Sequence, residues 1–352
     1  MADTPIPLPL FGMDPCPPAP QDENFNPKHG GTMTRSTVGV RLPDLTGKRV
    51  LITGASDGIG AIIADRIAGA GASLVLPFRT PSKGQAALQR LRDAHRGLEV
   101  ATVPLDLASL ASVRQAADTL LDEGTSIDIL IANAGIMTPP TRVVTEDGFE
   151  LQMATNHLGH MAFIGRLLPL LRMPGTRVTS MGSAAAKSGR IDLDDFHSER
   201  RFSTARAYMN SKLAQMLFAL ELDRRAQDTG AALRSNVAHP GTTLTNLYSA
   251  GPNMGRSRPA LLAKIVGAFA RAGLFVQQPA DGAQPALLAA AHPNAEGGRF
   301  YGPDGPGHFT GSAGEQRIYP VATDALLARA VWDRSVEQIG VDFHFNTAES
   351  KA

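Results

Sequence analysis

The sequence predicts an α/β protein with a doubly wound parallel sheet that helices cover on both faces. Short runs rich in valine, leucine and isoleucine alternate with longer segments in which apolar residues recur at helical spacing. This alternation is typical of parallel strands joined by crossover helices. The clearest unit is Arg49–Ala70, where an apolar run is followed by a glycine-rich turn and then by isoleucines at helical spacing.

The same alternation continues along the chain and predicts the order of the remaining elements. Further strands are predicted at Ser73–Phe78, Leu98–Val103, Ile127–Ala132, Arg177–Met181, Leu233–Ala238 and Arg299–Tyr301. Helices are predicted between them at Ser82–Ala94, Ala108–Leu121, Gly148–Leu171, Ala205–Ala226 and, last in the chain, Asp281–Ala291. No internal repeat and no linker interrupts this part, so we predict a single domain over residues 41–345.

Residues 242–279 break the alternation, and we predict that they form a helical substrate lid. Leu261, Leu262 and Phe269 lie on one helical face, and Lys264 lies on another. The segment follows the end of a central strand, where α/β sheets bind ligands. Permanent packing on the domain and an interfacial helix at a membrane are the alternatives.

The composition excludes several classes of protein. The chain has 352 residues and a formal charge of +1, which favours neither nucleic acid nor an anionic membrane as a partner. Cys16 is the only cysteine, so no intrachain disulfide can form, and no metal site is indicated by cysteine and histidine spacing. Neither a secretory signal nor a transmembrane segment appears, and we expect a cytoplasmic protein.

Residues 1–40 differ from the rest of the chain. Their prolines stand at positions 5, 7, 9, 15, 17, 18, 20 and 27. Such a composition lacks the apolar residues that a packed core needs. We therefore predict a proline-rich flexible tail, with a partner-binding arm as the alternative.

The glycine-rich turn after the first strand predicts a phosphate-binding site. Gly54, Gly58 and Gly60 lie where the strand ends and the helix begins. Glycine lets the backbone approach a pyrophosphate, and a helix N-terminus supplies free N–H groups and a partial positive charge. Taken alone, the pattern is also compatible with an ordinary tight turn.

Tyr208 and Lys212 form the second motif that carries chemistry. Residues four apart share a helix face, so the phenol and the ammonium are expected to point in the same direction. A nearby ammonium stabilises phenolate, which would lower the pKa of the tyrosine and suit it to general acid–base work. A chance pair on an exposed helix is the alternative.

Taken together, the motifs resemble the short-chain dehydrogenase/reductase family, in its classical branch. The phrases Asn156-His-Leu-Gly-His160 and Gly189-Arg190-Ile191 are similar to those of retinol dehydrogenases. The resemblance covers roughly residues 45–305 and implies a Rossmann fold. The matching residues, in family order, are Thr53 to Gly60, Asp106, Asn133-Ala134-Gly135, Asn156, Ser183, Tyr208 with Lys212, and Pro240-Gly241.

The resemblance implies four catalytic residues. Tyr208 would exchange the proton at the substrate oxygen, and Lys212 would bind the nicotinamide ribose and tune the tyrosine. Ser183 would donate a hydrogen bond to the substrate oxygen. Asn156 would hold a water that relays protons through Lys212. Among the nearby serines, the subgroup's pattern selects Ser183 and leaves Ser180 as a weaker candidate.

The resemblance also implies a set of cofactor-binding residues. The glycine turn would hold the pyrophosphate, and two further segments would line the adenosine end. A last segment would hold the nicotinamide carboxamide. These residues are Gly54, Ser56, Asp57, Gly58, Ile59 and Gly60; Asp106 and Leu107; Asn133, Ala134 and Gly135; and Pro240, Gly241 and Thr245.

The end of the second strand indicates which cofactor is used. NAD sites carry an acidic residue there for the ribose 2′-hydroxyl, whereas NADP sites favour arginine. Phe78 occupies the acidic position and Arg79 follows it, with Lys83 nearby. Asp57 opposes this interpretation, because NADP enzymes of the family often carry a basic residue in that turn. We predict that NADP (NADPH) is favoured over NAD.

These observations predict an NADP-dependent oxidoreductase acting on an apolar ketone, aldehyde or alcohol. The alternatives are a non-catalytic dinucleotide-sensing protein and an interaction protein on the same fold. The sensor is disfavoured because such proteins typically lose the tyrosine–lysine pair, which is present here. The sequence leaves open the substrate, the direction of the reaction and whether the protein forms a homo-oligomer.

Overall fold

The computed structural model describes residues 39–171, 174–243 and 277–345. The strands are β1 (Arg49–Ile52), β2 (Ser73–Phe78), β3 (Val100–Pro104), β4 (Ile129–Ala132), β5 (Thr176–Met181), β6 (Leu233–Ala238), β7 (Phe300–Pro303) and β8 (Ala313–Gln316). The helices are α1 (Gly58–Gly69), α2 (Pro81–Ala94), α3 (Leu110–Glu123), α4 (Leu151–Met153), α5 (Gly159–Leu167), α6 (Thr204–Asp228), α7 (Pro279–Ala291) and α8 (Ala325–Ile339).

The strands of the described residues form one sheet in the order β3-β2-β1-β4-β5-β6-β7-β8. All pairings are parallel except that of β7 with β8. Leu51 in β1 is in register with Val75 on one side and with Leu130 on the other. Because the strand order reverses between β1 and β4, a crevice opens at their carboxyl ends, where doubly wound sheets bind ligands.

Helices cover both faces of this sheet, as predicted. Leu51 belongs to one apolar core, whereas Val50 and Ile52 belong to the other, and all three are fully buried. This alternation follows from the two-residue period of a strand. Helices α3, α5, α6 and α8 contribute to the first core, and α1, α2 and α7 contribute to the second.

The predicted strands at Ser73–Phe78 and Leu233–Ala238 are confirmed to the residue, and most other predicted ends differ by a few residues. The predicted helix at Gly148–Leu171 is shorter and irregular. Gly148 has a φ of +85°, so the helix begins only after Glu150, whose carboxylate accepts a hydrogen bond from the Met153 N–H. A π-helical turn at Ala154–Leu158 then separates α4 from α5.

The prediction that Asp281–Ala291 is the last helix is wrong. The chain continues into β8 and α8, and neither was predicted. Strand β8 is a half-exposed edge strand with little β-branched character. Helix α8 begins at an Asp324 cap and ends at Gly340, whose φ is +59°.

The predicted tail and most of the predicted lid lie outside the described residues. Of the tail only 39 and 40 are described, and of the lid only 242–243 and 277–279. Thr243 and Gln277 form a parallel bridge, so the two described ends of that segment lie side by side. Among the described helices, none has the length and apolarity needed to cross a membrane.

Candidate active site

A cleft of about 430 Å³ lies at the carboxyl ends of β1, β4, β5 and β6. Nearly all of the predicted site residues line it, although they are scattered over the sequence. Two do not: Asn156 is buried beside the cleft, and Thr245 lies outside the described residues. The predicted residues in its lining are Gly54, Ser56, Asp57, Gly58, Ile59, Gly60, Arg79, Asp106, Leu107, Asn133, Ala134, Gly135, Ser183, Tyr208, Lys212, Pro240 and Gly241.

The turn between β1 and α1 has a conformation that requires glycine. Gly54 and Gly58 have φ angles of +70° and +58°, in the left-handed region. A β-carbon on Gly60 would lie 2.3 Å from the carbonyl oxygen of Gly54. Asp57 caps α1, and its Oδ1 accepts a hydrogen bond of 2.7 Å from the Gly58 N–H. The N-terminus of α1 therefore lies in the cleft wall, with the Asp57 carboxylate as its cap.

Asn133 ties this turn to the end of β4. Its Nδ2 donates to the carbonyl oxygens of Thr53 and Gly54, at 2.9 and 3.2 Å. In return, Oγ1 of Thr53 accepts hydrogen bonds of 3.0 Å from the N–H groups of Asn133 and Ala134. The two central strands are thus locked together where the cleft opens.

The end of β2 presents cations and no carboxylate. The ring of Phe78 is buried against α2, where a β-carbon on Gly84 would come within 2.6 Å of it. Arg79 and Lys83 are exposed and line the cleft. Within the described part of the chain, no ion pair holds the Arg79 guanidinium. Arg90 donates to the carbonyl oxygen of Ser56 at 2.8 Å, which braces the glycine turn from α2.

Asp106 and Leu107 follow β3 and form the opposite wall. Oδ1 of Asp106 accepts from the Ala108 N–H at 2.9 Å, while Ser109 and not Asp106 caps α3. A β-carbon on Gly159 would lie 2.1 Å from the Leu107 carbonyl oxygen, so glycine is needed for α5 to approach this wall.

Asn156 lies within the π-helical turn rather than in a regular helix. Its Oδ1 accepts from the Ile136 N–H at 2.8 Å, and its Nδ2 donates to the Ile136 carbonyl at 3.0 Å and to Oγ of Ser211 at 2.9 Å. Single π turns inside α-helices frequently mark functional sites. The side chain is therefore fixed against the segment that follows Asn133-Ala134-Gly135.

Lys212 and Tyr208 lie one helical turn apart on α6, and both line the cleft. Nζ of Lys212 donates to the Met181 carbonyl at 2.8 Å, and the side chain is 5% exposed. Burial lowers the pKa of Lys212 to about 8. The ammonium is thus a buried charge beside the tyrosine, held at the end of β5.

The structure distinguishes between the candidate serines. Ser183 follows β5 and lines the cleft, where its Oγ accepts from the Ala185 N–H at 3.2 Å. Ser180 is fully buried within β5 and does not reach the cleft. Its hydroxyl has no hydrogen-bond partner among the described residues.

The Pro240-Gly241 segment closes the far end of the cleft. Gly241 has a φ of +68°, and a β-carbon there would lie 2.5 Å from the Phe309 carbonyl oxygen. Gln277 donates to the Pro240 carbonyl at 2.8 Å, and its backbone N–H donates to Thr242 at 2.9 Å. This glutamine therefore fixes the segment where the chain leaves β6.

Four residues contribute to the site that sequence reasoning gave no role. His160 contacts Thr53 at 2.9 Å beneath the glycine turn. His239 lines the cleft, and burial lowers its pKa to about 4. Thr53 and Gln277 fix the two ends of the cleft through hydrogen bonds. Thr53 and the two histidines stand within or directly beside recognised motifs, whereas no sequence signal marks Gln277.

Comparisons with known proteins agree with this geometry. The short chain dehydrogenase family model matches residues 48–253. Retinol dehydrogenase 14 from Homo sapiens is 35% identical over 313 residues, which cover 84% of this chain and 87% of that protein. Polyprenol dehydrogenase from Mus musculus is 35% identical over 284 residues, covering 79% and 82%.

A solved structure extends the likeness to three dimensions. A protein from Mycobacterium Paratuberculosis has a TM-score of 0.69 and 34% identity, and the match covers 86% of this chain and 97% of that one. The named dehydrogenases among the relatives support an oxidoreductase and give no support to a sensor or an interaction protein. The chain belongs to the short chain dehydrogenase family, as an NAD(P)-binding oxidoreductase of its retinol dehydrogenase-like subgroup with a Rossmann fold.

Proposed function

We propose that this enzyme transfers a hydride between NADP(H) and an apolar ketone, aldehyde or alcohol, with Tyr208 as general acid and base. One observation carries the proposal. The tyrosine, its buried lysine partner and Ser183 line the same cleft as the glycine turn, although they come from different elements.

The residues of the cleft fit a nicotinamide dinucleotide. Gly54 and Gly60 let the turn pack closely against Asn133, and the N-terminus of α1 beside it would bind the pyrophosphate through backbone N–H groups. Asp106 and Leu107 would border the adenine, and Pro240-Gly241 would border the carboxamide. When bound, the nicotinamide would supply or accept the hydride, and the protein would supply orientation and electrostatics.

The charge pattern at the end of β2 supports NADP over NAD. Phe78 places no carboxylate near a ribose 2′-hydroxyl, and its ring is buried. Arg79 and Lys83 present two cations, and a guanidinium matches a phosphate with two parallel hydrogen bonds. Asp57, which opposed this interpretation, serves as the cap of α1. Because the Asp57 carboxylate caps a helix, its presence is compatible with an NADP site as well as with an NAD site.

In the proposed chemistry, Tyr208 exchanges the proton at the substrate oxygen. The Lys212 ammonium stabilises the negative charge that the phenol acquires. Ser183 orients the substrate oxygen with a hydrogen bond, which also stabilises the charge that develops there. The half-buried position of Ser183 at the cleft wall agrees with this role.

Gly135 supports a proton path between Lys212 and Asn156. A β-carbon at this position would lie 3.1 Å from Oδ1 of Asn156 and 3.6 Å from Nζ of Lys212. Glycine at this position therefore leaves room for a small molecule beside both the amide and the ammonium. A water bonded to both groups would carry protons from Tyr208 through Lys212 toward solvent.

The substrate class and the domain division also remain part of the proposal. Retinol and polyprenol, which the relatives' names contain, are long apolar alcohols. Thr243 lines the cleft and pairs with Gln277, which supports the proposal that 242–279 form a lid beside the site. We propose one domain over 41–345 after the tail 1–40, in a cytoplasmic protein.

The test is a turnover assay with retinal and with acetaldehyde, each with NADPH and with NADH. We expect faster turnover with retinal than with acetaldehyde, and a lower KM for NADPH than for NADH. Equal KM values for NADPH and NADH would contradict the cofactor preference that we attribute to Arg79. Absence of turnover with every carbonyl and alcohol of a wider panel would contradict the proposed reaction class.

A further inference from the structure

His160 lies on α5, is 1% exposed, and connects two parts of the site. Its Nε2 lies 2.9 Å from Oγ1 of Thr53, below the glycine turn. Its Nδ1 lies 3.4 Å from the carbonyl oxygen of Asn156, in the π-helical turn. The imidazole thus stands between the cofactor side of the cleft and the residue proposed to relay protons.

The hydrogen bonds around Thr53 fix the tautomer of this histidine. Oγ1 of Thr53 already accepts hydrogen bonds from the N–H groups of Asn133 and Ala134, so both of its lone pairs are occupied. Its hydroxyl hydrogen must therefore be donated to Nε2 of His160. Because that nitrogen accepts, the ring proton of the neutral histidine is on Nδ1, and it is donated to the Asn156 carbonyl.

The surroundings also keep this histidine neutral. Burial lowers its pKa to about 3, and the positive charge of Lys212 acts in the same direction. A second proton on Nε2 would face a hydroxyl that has no lone pair left to accept it. His160 therefore keeps one protonation state and one tautomer at physiological pH.

We propose that His160 is a positioning residue that couples the cofactor turn to Asn156. Through Thr53 it holds the backbone of Asn133 and Ala134, where β4 meets β1. Through its Nδ1–H it holds the carbonyl of the π turn and so the position of the Asn156 amide. The inference rests on the proposed function, because it treats Asn156 as part of the proton path.

Two substitutions separate the two contacts of the ring. His160→Asn keeps a donor near the position of Nδ1 but loses the acceptor for Thr53, whereas His160→Gln keeps that acceptor and loses the donor. We expect the asparagine variant to bind NADPH about tenfold more weakly with kcat nearly unchanged. We expect the glutamine variant to lose about tenfold in kcat at saturating NADPH with little change in Kd.

A matched control is available three residues earlier. His157 is equally buried, but its Nε2 contacts Oγ of Ser335 at 2.7 Å, on the side of α8 and away from the cleft. His157→Gln should lower the melting temperature while leaving Kd and kcat within about twofold. If both His160 variants changed Kd and kcat in parallel, or behaved like the control, His160 would be a packing residue only.

A second measurement tests the inference on the wild-type protein and uses a variant only for assignment. Nitrogen NMR of the histidine-labelled wild-type protein reports the tautomer of each ring, and the Thr53→Ser variant, which keeps the hydroxyl, assigns His160. We expect an Nδ1–H tautomer that does not titrate between about pH 5 and about pH 9. An Nε2–H tautomer, or titration near pH 6, would overturn the proposal. Neither this result nor the Kd depends on turnover, so failure of the proposed reaction would be recognised separately.

Discussion

The Nζ atom of Lys212 donates a hydrogen bond of 2.8 Å to the Met181 carbonyl oxygen. This contact anchors the Lys212 ammonium to the last residue of β5, two positions before Ser183 in the chain. Because the side chain is 5% exposed, its charge is kept within the site instead of being hydrated.

The burial of Lys212 predicts a measurable dependence of stability on pH. Its pKa falls from 10.5 to about 8 in the folded protein, so the unfolded chain binds more protons between those values. The free energy of unfolding should therefore gain up to about 1.4 kcal/mol per pH unit from this group as pH rises through that window. Urea titrations of the wild type and of Lys212→Met, compared at pH 8 and above, isolate the contribution. If the free energy of unfolding of both proteins changed equally with pH, burial would not be lowering the pKa of Lys212.

Arg79 should determine the preference between cofactors. Arg79→Ala removes the exposed guanidinium from the cleft, and we expect the KM for NADPH to rise about tenfold or more while the KM for NADH changes little. Arg92→Ala is the control, because Arg92 is an exposed arginine of α2, the helix that follows Arg79, and does not line the cleft. Equal effects of the Arg79 substitution on both cofactors would make Asp57 the next residue to examine.

Gly135→Ala tests the proton path. The new β-carbon would lie 3.1 Å from Oδ1 of Asn156 and 3.6 Å from Nζ of Lys212, where it would displace a water bonded to both, so we expect kcat to fall about tenfold or more. Gly314→Ala provides the control, because the nearest atom to its β-carbon would be 3.9 Å away, on Gln316. Steady-state kinetics at saturating NADPH give the comparison. An unchanged kcat in Gly135→Ala would exclude a path between these two groups.

Helix α8 should contribute to stability and not to chemistry. Trp332 is 3% exposed, stacks on Phe218 with ring centroids 5.7 Å apart, and lies under the Arg225 guanidinium. Trp332→Ala should cost about 3 to 5 kcal/mol of unfolding free energy, measured with urea. Leu326→Ala in the same helix is the control, since Leu326 is 77% exposed and should have almost no effect.

Much of the fold could be predicted because its signals are local. The apolar run before the glycine turn and the helical spacing after it are sufficient to predict β1 and α1. By contrast, β8 has the sequence Ala-Gly-Glu-Gln, and only its antiparallel pairing with β7 makes it a strand. The π turn around Asn156 also depends on tertiary contacts, since its amide is fixed by Ile136 and Ser211.

Site residues that belong to a recognisable motif could be predicted from the sequence. Residues that only the folded structure brings to the site could not. The glycine turn and the Tyr208–Lys212 spacing are recognisable from the sequence alone. Thr53 and His160 are 107 positions apart, and nothing in the sequence indicates that they meet at 2.9 Å. Gln277 likewise donates a hydrogen bond to the Pro240 carbonyl, although the two residues are 37 positions apart.

The central claim is that the Tyr208 phenol exchanges the proton at the substrate oxygen. Tyr208→Phe removes only the hydroxyl, and the ring, which is 9% exposed, can still pack in its place. The direct measurement is kcat of this variant with NADPH and retinal, together with the Kd for NADPH from fluorescence titration. We predict that kcat falls by at least about 100-fold while Kd stays within about twofold. A variant that kept most of the wild-type kcat would contradict the mechanism.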